Sequence, residues 1–111
     1  MRKSARVALA LLCCAAFLST GLLMAEAQGD DKKGKALFKE SCKTCHDKDG
    51  EGGEVSPLIK TMSQWERYFK KGTHNNKTEK LEDVAPADQL IHIQTFLVNH
   101  AADSDQPETC G

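Results

Sequence analysis

The 111-residue sequence has no excess of basic charge: 15 Lys and Arg stand against 16 Asp and Glu, a formal net charge of −1. Without a basic footprint, nothing points to a nucleic-acid partner. Aromatic residues are scarce at 5%, so large rings alone cannot fill a core. No strand signal stands out, and the average composition is neither that of a disordered chain nor that of collagen. A chain this short has room for one domain. Cysteine, by contrast, is abundant. There are five, an odd number, and their positions are the most informative feature of the chain.

The first 27 residues read as a targeting segment. Arg2, Lys3 and Arg6 form a positive start, an apolar run extends from Val7 to Met24, and Ala25-Glu26-Ala27 is the small-x-small pattern of a signal-peptidase site. Residues 1–27 are therefore expected to be a cleaved signal peptide, with an uncleaved N-terminal anchor as the alternative because the run is long. Leu12 before Cys13, and Cys13 before Cys14, deny a lipobox its small residue. Both cysteines read as small hydrophobes of the discarded segment.

Removing residues 1–27 from the 111 leaves 84, with 12 basic residues against 15 acidic ones and a charge of −3. So short a chain buries only a modest core and needs a staple or a filler. A domain over 28–102 is expected, all-α and of about three helices, followed by a polar, extended tail over 103–111. Asp30 and Asp31 suit the start of a helix from Lys32 to Cys42. Gly34 and Phe38 share one face of it, and the glycine leaves room for a second helix. Ser63 and Glu66 read as a capping box opening a helix to Lys71, with Trp65, Tyr68 and Phe69 on one stripe and Gly72 as its stop. A charged loop follows from Thr73 to Asp83. Pro86 and Asp88 suit the first turn of a last helix whose inner face is Leu90, Ile93, Phe96 and Leu97.

The chemistry concentrates in Cys42-Lys43-Thr44-Cys45-His46. Two thiols three positions apart can each add across a haem vinyl group, and the adjacent His46 then reaches the iron. This is the c-type haem attachment pattern. A redox dithiol would need a βαβ setting that a helical sequence lacks. A zinc site would need a second Cys/His pair, which is absent.

Gly34-Lys35-Ala36-Leu37-Phe38 leading into this motif, with Thr95-Phe96-Leu97 on a closing helix, resembles the small monohaem bacterial class I c-type cytochromes. The resemblance implies terminal helices crossing at Gly34, Phe38 and Phe96, one covalently attached haem c held by Cys42 and Cys45, and His46 as proximal iron ligand. It also implies a periplasmic carrier of single electrons between respiratory redox proteins, without substrate turnover. The sequence departs from the family at the sixth ligand. Class I cytochromes usually take a Met from the loop before the last helix, whereas residues 28–111 contain only Met62, early in the chain. The loop instead offers His74 as the distal ligand, with Met62 as runner-up; His92, His100 and a vacant position are the remaining readings. His92, flanked by two isoleucines, reads as solvated, and His100 as a helix-end residue favoured by the dipole. Trp65 and Tyr68 read either as packing residues or as haem-propionate partners, and Arg67 as a propionate's charged partner. A second imidazole would lower the potential. A labile distal ligand would instead suit a haem-based sensor or gas-binding module. Cys110 is left without a mate in the chain, as a free thiol or as a cross-link between two copies.

Overall fold

In a computed structural model, which describes residues 28–75 and 78–109, the first helix opens at an acidic cap. Asp30 is extended, and its side chain accepts the Lys33 N–H at 2.7 Å, opening α1 (Asp31–Ser41) as expected of an acidic N-cap. Cys42 ends that helix, and a single turn, α2 (Lys43–His46), follows at once. A 3₁₀ turn (Pro57–Ile59), α3 (Met62–Lys71), strands β1 (Thr73–His74) and β2 (Glu79–Lys80), α4 (Leu81–Val84) and α5 (Ala87–Asn99) complete the order. The all-α architecture is as read from the sequence: three long helices carry the fold.

The crossing of α1 with α5 is its most extensive packing. Gly34 is buried in the crossing, where a β-carbon would run into the His92 carbonyl and lie 2.9 Å from Cβ of Phe96. Only a residue without a side chain lets the two backbones meet. Phe38 and Phe96 pack beside it with ring centroids 5.7 Å apart. With Trp65, Ile93 and Leu97 they form the buried core, each large side chain contributing about 1.5–3 kcal/mol through burial.

Four expectations are corrected. The box opening α3 is Thr61 with Gln64, not Ser63 with Glu66. The Thr61 hydroxyl accepts the Gln64 N–H while Oε1 of Gln64 accepts the Thr61 N–H at 2.9 Å, so Ser63 already lies inside the helix. The segment after Gly72 is a small hairpin, in which Thr73 pairs with Lys80 and His74 with Glu79. Left-handed backbone at Gly72 (φ 65°) and Asn75 (φ 50°) turns the chain there, and strands of two residues are too short to show alternation. His92 is not a solvated side chain. It is half-buried, and its Nδ1 accepts the Asp30 N–H at 2.8 Å, tying α5 to the start of α1. The tail is not extended: Asp103 accepts the Met62 N–H at 2.7 Å, and Glu108 pairs with Lys35 at 3.1 Å while its N–H donates to the His100 carbonyl.

The expected signal peptide, with Cys13 and Cys14, and the tail Cys110 lie outside the described residues. No helix among those described is long and apolar enough to cross a membrane.

Candidate functional site

A half-open cavity of about 340 Å³ lies between α1, α3, the hairpin and α5. Its walls are chiefly the apolar faces that the helical spacing already aligns: Phe38, Trp65, Phe69, Leu81, Ile93 and Leu97. A small domain would not keep such a space open unless something apolar filled it, since interiors are close-packed. Trp65 packs in this wall, while the Tyr68 hydroxyl is turned to His74. The indole N–H of Trp65 is donated to the Pro57 carbonyl at 2.9 Å.

Cys42, Cys45 and His46 form one wall. The turn of α2 brings them together because the N–H groups of Cys45 and His46 both return to the Cys42 carbonyl. Cys42 is half-buried and Cys45 exposed. Burial pushes the Cys42 thiol up to about 11, the reverse of the lowered pKa that a redox dithiol uses. Among the described residues, no group of three or more His, Cys, Asp or Glu is placed to hold a metal ion by itself.

The glycine loop after the motif holds the histidine. The N–H of Gly52 donates to the Cys45 carbonyl, and that of Val55 to the His46 carbonyl. Nδ1 of His46 lies 3.0 Å from the Gly53 carbonyl oxygen. A carbonyl only accepts, so Nδ1 carries the proton and Nε2 keeps its lone pair. A β-carbon on Gly52 would stand 2.5 Å from Cε1 of this ring, so the ring needs a glycine beneath it.

His74 lines the same cavity. Its ring centroid is 5.7 Å from that of His46, edge to face at 86°. Nδ1 of His74 is 2.9 Å from the Tyr68 hydroxyl. That phenol is pushed up to about 12 by burial, reinforced by Cys42 and Glu79. Met62 does not reach the cavity. It packs on the outside of the core at the start of α3. His92 and His100 are also elsewhere, His92 on the Asp30 N–H and His100 against Asp31 at 3.0 Å. Arg67 is exposed, with Nε turned to the Ser63 carbonyl. The cation lining the cavity is Lys60, whose ammonium sits 5.7 Å from the centre of the Trp65 ring. Neither Lys60 nor Glu79, a second polar residue of the wall, stands out in the sequence, because each is one charge among many and only the fold turns it inward.

The donor set fits one group: flat, apolar over most of its area, joined to two thiols and flanked by imidazole. Such a site defines a small helical domain built around a covalently attached haem. The chain matches the family model described as Cytochrome c over residues 32–106 and belongs to that family. No curated protein and no solved structure matches it. Its cofactor is therefore haem c, and its role that of a haem-based electron carrier.

Proposed function

We propose that the protein is a one-haem periplasmic carrier passing single electrons between respiratory redox proteins, at low potential and with two histidine ligands. Cys42 and Cys45 form the thioethers, His46 is the proximal ligand and His74 the distal one. One observation carries this reading: His46 and His74 line a single cavity with ring centroids 5.7 Å apart, while Met62 is packed against the core and is not among the lining residues. Haem c supplies a reversible one-electron change at its iron. His46 presents Nε2 because Nδ1 is committed to the Gly53 carbonyl. An imidazole in place of a thioether lowers the reduction potential. Held by His46 and His74 together, the haem would keep side chains rather than substrate on its iron, as suits a carrier of electrons.

Export is supported by the basic start, apolar run and Ala25-Glu26-Ala27 of the sequence. The charge of −3 in residues 28–111 favours partners with a basic face, docking through the small, weak interfaces of electron-transfer encounters.

Spectra of the holoprotein test the ligands. The oxidised protein is expected to be low-spin without the weak far-red band of iron–Met bonding, and His74→Ala is expected to open the site and let the reduced form bind carbon monoxide rapidly. A far-red band in the wild type, or an unchanged low-spin spectrum in His74→Ala, would overturn the assignment. Rapid carbon monoxide binding by the wild type itself would favour a sensor with a labile ligand.

A further inference from the structure

His74 stands on a strand of only two residues, which by itself gives the imidazole little orientation. Two neighbours supply what the strand cannot. The Tyr68 hydroxyl, on α3, is 2.9 Å from Nδ1 of His74, and Tyr68, His74 and Glu79 all line the same cavity. Glu79 is the direct cross-strand partner of His74 in the antiparallel pair. Directly opposed residues project from the same face of a hairpin with β-carbons about 4.5–5.5 Å apart. Glu79 is also half-buried and lines the cavity together with His74.

We infer that Tyr68 and Glu79 are positioning residues for the distal histidine: Tyr68 fixes the ring through Nδ1, and Glu79 sets the charge of that wall. This rests on His74 being the distal ligand. When the Tyr68 oxygen accepts the Nδ1 proton, Nε2 is left as the lone-pair nitrogen, the same arrangement that the Gly53 carbonyl imposes on His46. Tyr68 comes from a helix packed on the core, so it anchors a ring whose own backbone belongs to a two-stranded ribbon. A carboxylate close to a centre that gains an electron opposes that gain by simple Coulomb repulsion. Lys60, the cavity's cation, offsets part of this from its position at the end of the Pro57–Ile59 turn. The distal wall thereby favours the oxidised state and holds its ligand at the same time.

The test uses the holoprotein, with the ferric paramagnetic resonance spectrum recorded first on the wild type. A two-imidazole signature is expected; its absence would overturn the ligand assignment and this inference with it, before any variant is made. Given that signature, Tyr68→Phe is expected to retain it but to bind cyanide in the ferric state at least ~10-fold faster, because the ring is released more often. Glu79→Gln is expected to raise the ratio of reduced to oxidised haem at a fixed poise about tenfold, which for one electron is about 59 mV. Glu79→Asp, keeping the charge, is expected to stay close to the wild-type ratio. A Tyr68→Phe protein with wild-type cyanide kinetics, or a Glu79→Gln protein with the wild-type ratio, would overturn the role given to that residue while leaving His74 as ligand.

Discussion

Gly34 lies against the carbonyl of His92, so close that a β-carbon at Gly34 would occupy the space of the carbonyl itself. The obstacle is backbone, which cannot swing aside as a side chain does. Gly34→Ala should therefore destabilise the protein, although alanine is the better helix former by about 1 kcal/mol. Forcing the helices apart costs roughly 1–3 kcal/mol in comparable overpacked sites and disturbs the Phe38–Phe96 contact beside it. Denaturant unfolding of the holoprotein measures this. A Gly34→Ala protein as stable as wild type would show that the crossing is looser than the backbone geometry implies.

Met62 packs against the core from outside the cavity, and its N–H is held by Asp103. Met62→Leu should leave the visible spectrum and the potential at their wild-type values. Its stability cost should be under about 1.5 kcal/mol, as for other volume-conserving swaps. Loss of the low-spin spectrum in Met62→Leu would return the distal role to the thioether.

Much of this arrangement is legible in the sequence because each element carries its own local signal. Asp30 announces a helix start, Gly72 a stop, and Cys42, Cys45 and His46 a covalent cofactor, all within a few residues of chain. The inner face of α5 follows from helical spacing alone, and His74 stands out as a loop residue able to supply a missing ligand. What escapes depends on contacts between distant segments. Thr61 with Gln64 and Ser63 with Glu66 are both capping-box patterns, and the folded chain uses the first. His92 looks like a solvated residue until the N–H of Asp30 is brought to it. Lys60 and Arg67 are indistinguishable as charges, yet the fold turns one to the cavity and the other to solvent.

His100 joins the two ends of the helix crossing, with Nε2 3.0 Å from Asp31 and Nδ1 2.8 Å from the Gln106 carbonyl. Both partners accept, so the ring satisfies both when it is doubly protonated. Burial disfavours that charge, but the hydrogen bonds to Asp31 and Gln106 and the carboxylates of Asp31 and Glu108 outweigh it and raise the pKa. A raised folded pKa means that the stabilisation is complete below the unfolded value of about 6.5 and is lost as pH climbs through the folded one. The contribution should be under about 1 kcal/mol, since Asp31 is partly exposed. Melting temperature should fall as pH rises from about 6.5, and Asp31→Asn should flatten that slope. An equal slope in both proteins would assign the pH dependence elsewhere.

Gly52 and Gly53 are neighbours with opposite demands, and comparing them isolates the seat of His46. A β-carbon on Gly52 would lie 2.5 Å from Cε1 and 2.6 Å from Nδ1 of the ring, whereas one on Gly53 would meet nothing within 4 Å. Gly53 has φ 75°, so Gly53→Ala should cost about 1–2 kcal/mol in backbone strain and leave the ring where it is. Gly52→Ala should push the imidazole off the Gly53 carbonyl and so loosen the His46 ring. The expected outcome is a shifted ferric spectrum and potential for Gly52→Ala, and a wild-type spectrum with lower stability for Gly53→Ala. Wild-type spectra from both would mean that the loop yields to the added methyl, and that His46 is held by α2 alone.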